Sequence, residues 1–138
     1  MQPIRQLAGI SENLTDKLVA FALRPNRIKN RDLWDIGWLK QQNISLPLQL
    51  VPKKIADHQY SLENFLKLLQ DRNQQLSGDP TVRKNFSHEM RRFLPPQVAA
   101  DTVDNDNFWI YLTRLIREES EALIKFLSNT QESDKFNM

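Results

Sequence analysis

Two cations and two carboxylates stand close enough along the chain to share chemistry: Lys17 and Arg24, then Asp32 and Asp35. Lysine and arginine held beside acids in a partly dry groove suit triphosphate binding and phosphoryl or nucleotidyl transfer. The cations neutralise developing charge while an acid orients the attacking hydroxyl or holds a cation ligand. The same four side chains can instead form a partly buried ion-pair network that only fixes two helices, because a charge removed from water must be paired whether or not it does chemistry. Arg24, Arg27, Lys29 and Arg31 fall within eight residues that contain no acid. Such a cluster suits a phosphate-bearing partner, or a solvated turn between helices. Together with Lys17 these cations form a rail that would attract a triphosphate.

The elements that must position these groups read as helices. From Ser11 onward Leu14, Leu18, Phe21 and Ala22 recur at helical spacing, and Arg24-Pro25-Asn26 stops the run because proline cannot continue the ladder. Asn30 is expected to cap a second helix through Asn43, with Asp32 and Asp35 in its first turns, where carboxylates complement the positive end of the dipole. At ~100° per residue Lys17 and Arg24 lie within ~20° of each other on the flank of the first helix. Asp32, Asp35, Ile36 and Leu39 share one ~100° arc of the second. A short connection makes the two helices antiparallel neighbours, an αα-hairpin in which the cationic and acidic faces meet.

Further helices are expected from Pro47 to Asp57; from a Ser61 cap, with Leu62, Phe65, Leu66, Leu69 and Leu76 in one stripe; and from Asp79-Pro80, with Val82, Phe86, Met90 and Phe93 buried until Pro95-Pro96. Asn105 or Asp106 opens a last, long helix to about Ser128, with Phe108, Leu112, Leu115, Ile116, Leu123 and Phe126 on one arc. The expected fold is all-α: a single-domain bundle of about five or six helices over residues 1–130, with a polar tail over 131–138.

Composition excludes several classes. A chain of 138 residues, 40% hydrophobic and 26% charged, is one globular domain. Three glycines leave little material for phosphate-cradling or dinucleotide-binding loops. With no cysteine and only His58 and His88, no metal ligand is assigned. Neither a signal peptide nor a span of ~20 apolar residues is present, so the sequence reads as cytoplasmic, with no membrane association. Net charge runs +4, +2 and −4 over residues 1–60, 61–100 and 101–138, which lacks the broad basic stripe of a duplex binder. His88, beside Glu89, Arg91 and Arg92, reads as a solvated side chain. Trp34 and Trp38, one turn apart and opposite the aspartates, read as core or a partner interface before a base-stacking platform. Glu119 projects into the arc formed by Phe108, Leu112, Leu115 and Leu123, and as a structural or secondary acid it is expected to meet an Arg or Lys from another helix, with Lys17 and Arg24 the leading candidates.

The string from Thr15 to Leu39 resembles the C-terminal helical signature of the abortive-infection (AbiEii-type) nucleotidyltransferase toxins. In that family a lysine on one helix is followed, after an arginine and a basic turn, by Arg/Lys-Asp-x-x-Asp on the next. Lys17, Arg24, Arg31, Asp32 and Asp35 match it position by position over about 25 residues. The resemblance implies catalytic roles in nucleotide binding and transfer for Lys17 and Asp32, a structural role for Asp35, and a toxin–antitoxin setting in phage defence. Complete members carry an N-terminal polymerase-β-like domain with a glycine turn and a metal-binding Asp-x-Asp/Glu pair, whereas this chain is expected to start with the first C-terminal helix. Asp104-Asn105-Asp106 has the acidic spacing without the glycine turn and reads as a helix start.

The chain alone is therefore expected to be inactive and to need no cofactor. Mg²⁺ and a nucleoside triphosphate would enter in a complete enzyme, with RNA or protein as acceptor. The expected partner is the missing nucleotidyltransferase domain or an antitoxin protein. The alternative is a non-enzymatic protein-binding module, such as a mobile-element-encoded inhibitor or an antitoxin-contacting subunit, that keeps the hairpin for structural reasons.

Overall fold

A computed structural model describes the backbone of residues 4–25 and 27–136 and the side chains of residues 13–25 and 27–129. Among the described residues there are seven α-helices and no strand: α1 (Ile4–Leu23), α2 (Asn30–Gln41), α3 (Val51–Asp57), α4 (Leu62–Gly78), α5 (Pro80–Met90), α6 (Pro96–Asp101) and α7 (Asp106–Phe136). A single 3-10 turn, Leu48–Leu50, leads into α3. None of the described helices is long and apolar enough to cross a membrane.

Four helices form a ring in which α1 packs on α2 and α4, and α7 packs on α2 and α4 from the other side. Phe21, Leu14 and Leu18 from α1, Leu33 and Ile36 from α2, Phe65 and Leu69 from α4, and Leu112, Ile116 and Leu123 from α7 are almost wholly shielded from solvent inside it. The residues of each set are spaced by three, four or seven positions, one or two helical turns, so a single stripe per helix faces the common core. Ile55 of α3 and Phe86 of α5 extend the same apolar cluster outward. Phe86 meets Trp109 with ring centroids 5.3 Å apart.

Several helix limits differ from those read in the sequence. The first helix begins at Ile4, directly after Pro3, seven residues before Ser11. Asn30 does not cap α2; Lys29 holds the cap position without a side-chain hydrogen bond, and the Asn30 Nδ2 donates across to Glu89 Oε2 of α5 at 2.7 Å. The second helix stops at Gln41 because Asn43 turns left-handed, with φ 59°. Its N–H reaches the Lys40 carbonyl while that of Ile44 reaches Leu39, the closing pattern of a Schellman cap.

Pro95-Pro96 does not end α5, which already stops at Met90; it opens a further helix, since Pro96 is the first residue of α6, a position where its missing N–H costs nothing. Phe93 lies beyond the end of α5 and is 67% exposed, not buried. The last helix keeps its helical backbone to Phe136, past the expected end near Ser128. Met138, the end of the expected tail, lies outside the described residues.

The α4–α5 joint is a capped break. Asp79 accepts hydrogen bonds from the Thr81 N–H at 2.9 Å and from Thr81 Oγ1 at 2.7 Å. These bonds, the side-chain one first, hold its carboxyl below the ordinary aspartate value. A depressed carboxylate contributes stability above the unfolded pKa and loses it as pH falls through the folded one. The wild-type chain should therefore melt at a higher temperature than Asp79→Ala at pH 7, and the gap should narrow once pH drops below about 4. Melts followed by circular dichroism at pH 7 and pH 3 check this, and an unchanged gap would refute it.

Candidate functional site

The six residues 24–29 that connect α1 to α2 bring their flanks together. Asp32, in the first turn of α2, is completely buried. Its Oδ2 accepts from Arg24 Nε at 3.1 Å and its Oδ1 from Arg24 Nη2 at 3.4 Å, a two-pronged clasp that an arginine fork matches geometrically. Lys17 Nζ lies 3.7 Å from Asp32 Oδ1 and 2.8 Å from Asp35 Oδ2. The hydrogen bond to Asp32 raises the Arg24 guanidinium above its ordinary value; partial burial works against this and charge attraction adds to it. One buried acid thus organises two cations, and Lys17 and Asp35 stand at the edge, each with about a third of the side chain exposed.

The periodicity that built these faces is also the reason they meet. Lys17 and Arg24 are seven residues apart, two turns, on the border of the stripe of Leu14, Leu18 and Phe21. Asp32 shares the buried face of α2 with Ile36 and Leu39. An acid at that depth is tolerable only with its oxygens satisfied, and the Arg24 clasp does this.

A fifth group was not signalled by the sequence around the motif. Arg72 of α4 donates from Nη2 to the Arg24 carbonyl at 2.5 Å and from Nη1 to Gln75 Oε1 at 2.9 Å. It anchors the end of α1 from which the Arg24 side chain springs. A lone arginine 48 positions from its partner leaves no mark in a local pattern.

The remaining sequence-read cations divide. Arg31 is exposed on the outer side of α2. Arg27 and Lys29 line a separate cleft against the end of α4 and α5, so they do not join Lys17 and Arg24 in one rail. Glu119 does meet a lysine of another helix, but its partner is Lys40 of α2, with Nζ at 2.7 Å, and not Lys17 or Arg24. The ring arrangement explains this correction, because α7 lies against α2 and α4, across the core from α1.

Asp104 and Asp106 are engaged by Arg91 and Arg83, and Asn105 Oδ1 accepts from the Asn107 N–H at 2.8 Å, so this Asp-Asn-Asp string starts a helix. His88 is exposed on α5. Trp34 packs against Phe108 at 5.9 Å, whereas Trp38 is 52% exposed.

Chemically, the cluster can meet phosphate charge but does not fit a metal. Both Asp32 oxygens face cations, Asp35 holds Lys17, and no group of three or more His, Cys, Asp or Glu among the described residues is placed to hold an ion. A family model described as "Nucleotidyl transferase AbiEii toxin, Type IV TA system" matches residues 6–114, a span that contains the whole cluster. No curated protein and no solved structure matches the chain.

Proposed function

The chain belongs to the AbiEii family of nucleotidyl transferase toxins of type IV toxin–antitoxin systems, and from that membership we propose that its α1–α2 pair is the phosphate-facing helical wall of a nucleotidyltransferase. The observation that carries the reading is the position of Lys17. Its ammonium group sits at the partly exposed edge of a buried acid, 2.8 Å from the one carboxylate, Asp35, that shares that edge. A lysine so placed can exchange Asp35 for a triphosphate oxygen without breaking the Arg24–Asp32 clasp beneath it. On this reading Lys17 contacts the nucleotide, and Asp32 is a positioning residue, because its buried carboxylate acts through Arg24 and Lys17. Asp35 holds Lys17 in place when no phosphate is bound.

Magnesium chemistry belongs to carboxylates outside this cluster, since the acids here are already committed to cations. Two-metal nucleotidyl transfer needs acids that clamp the ions against the triphosphate. We therefore read these residues as the helical half of the enzyme, completed by an Asp-x-Asp-bearing domain or partner polypeptide, with an antitoxin as the functional counterpart. A second reading, a protein-binding module, is favoured by Trp38, which stands half-exposed over a small hollow that it shares with Trp34 and Phe108.

The test is incubation with labelled nucleoside triphosphates, Mg²⁺ and bulk RNA, with the chain alone and with a polypeptide that supplies the acidic pair. The chain alone should transfer nothing. In the completed system Lys17→Ala should lower transfer by about 100-fold or more, the usual scale for one lost charge contact to the transition state. Transfer by the chain alone that disappears in Asp32→Asn would overturn the half-enzyme reading.

A further inference from the structure

On the far side of the first turn of α2 from Asp32, a cleft of about 430 Å³ opens between the α1–α2 connection, the end of α4 and α5. Asn30 and Asp32 are two positions apart, ~200° around the helix, so the two sites face opposite ways. Arg27, Lys29 and Arg92 stand on the cleft wall, and none of the three makes an ion pair among the described residues. By contrast Arg83 of α5 and Arg91, just past its end, are each matched to a carboxylate at or just before the start of α7.

Two acids also line the cleft, Glu89, which accepts from the Asn30 amide at 2.7 Å, and Asp79, which accepts from Thr81, so three cations face two carboxylates and the cleft keeps an excess of positive charge. Among polar neighbours such as Gln75 and Asn85, the apolar lining is the buried Ile28 and Val82 and the 67% exposed Phe93.

We propose that this cleft binds a small organic phosphate that carries a planar ring, with the phosphate on Arg27, Lys29 and Arg92 and the ring against Ile28, Val82 and Phe93. Cleft volume agrees with a ligand of that size. Guanidinium groups supply paired donors to phosphate oxygens, and an aromatic side chain supplies a stacking face. The ligand chemistry is shared by a free nucleotide and by the phosphorylated end of an oligonucleotide. The proposal is independent of the role given to Lys17.

The experiment is a titration of the full chain with adenosine monophosphate, inorganic phosphate and adenosine, followed by calorimetry and backbone amide NMR. Adenosine monophosphate should bind at least about tenfold more tightly than either fragment, because only it engages both walls, with saturable shifts at Ile28, Val82 and Phe93. Joint Arg27→Gln and Arg92→Gln substitution should weaken it by about tenfold or more with the melting temperature unchanged, while Lys67→Gln, an exposed charge on α4, should leave it intact. Phe93→Ala should weaken the nucleotide and spare inorganic phosphate.

A 5′-phosphorylated trinucleotide that competes better than the mononucleotide assigns the strand end, and one that competes worse assigns the free nucleotide. Equal weakening by Lys67→Gln, shifts centred on Lys17 and Asp35, or no advantage of the nucleotide over phosphate would each overturn the proposal.

Discussion

Replacing Arg24 with methionine should destabilise the fold by about 3 kcal/mol, the lower end of the range for breaking a buried ion pair. The substitution strands Asp32, which has no solvent exposure, with Lys17 at 3.7 Å as its remaining cation. The lower end applies because Arg24 is itself 39% exposed and already partly hydrated. Lys17→Met should cost about 0–1 kcal/mol, since Lys17 and Asp35 meet at the surface and Asp32 keeps its clasp. Substituting Arg24 by methionine and Asp32 by leucine together should cost less than the sum of the single changes, because no charge is left buried. Urea unfolding of the wild type, Arg24→Met, Asp32→Leu and the double variant measures the coupling. Small, additive losses would show that the clasp does not hold the helices.

Phe86→Ala should cost about 3–5 kcal/mol, the range for emptying a buried aromatic site. Phe86 is fully buried and is the largest side chain that α5 contributes to the core, where it meets Trp109 of α7. The remaining ties between α5 and the start of α7 are weaker. They are the ion pairs Arg83–Asp106 and Arg91–Asp104, whose partners are 36–79% exposed, and the Ser87 hydroxyl bonded to the Val103 carbonyl at 2.8 Å. Exposed pairs contribute about 0–1 kcal/mol each, so Arg83→Ala should be close to neutral where Phe86→Ala is severe. Chemical denaturation distinguishes them, and comparable losses would mean that charge, not packing, seats α5.

Local chemistry explains what was legible. The stripes of α1, α2, α4, α5 and α7 appear directly in residue spacing because a helix repeats its own geometry, and the Ser61 and Asp79 caps act on N–H groups two or three residues away. The elements missed were those whose signal is ambiguous locally. Pro95-Pro96 reads as a stop, whereas Pro96 opens α6, as proline at a first helical position can. Phe93 kept an apolar spacing past the point where α5 had already ended at Met90.

At the candidate site, the sequence alone determined that Lys17, Arg24, Asp32 and Asp35 border apolar faces of successive helices and that the family motif runs through them. Which charges pair was decided only by the tertiary structure. Depth gave Arg24 to Asp32 and left Lys17 mainly to Asp35, because the fork of the guanidinium satisfies both oxygens of a carboxylate that has no water. The order of helices around the core gave Glu119 to Lys40, since α7 packs chiefly on α2 and α4. It also turned Arg27 and Lys29 away from Lys17 toward α5. Periodicity fixes the face of a helix on which a charge lies; its partner depends on which helix packs there and at what depth, and neither is encoded within a few residues of it.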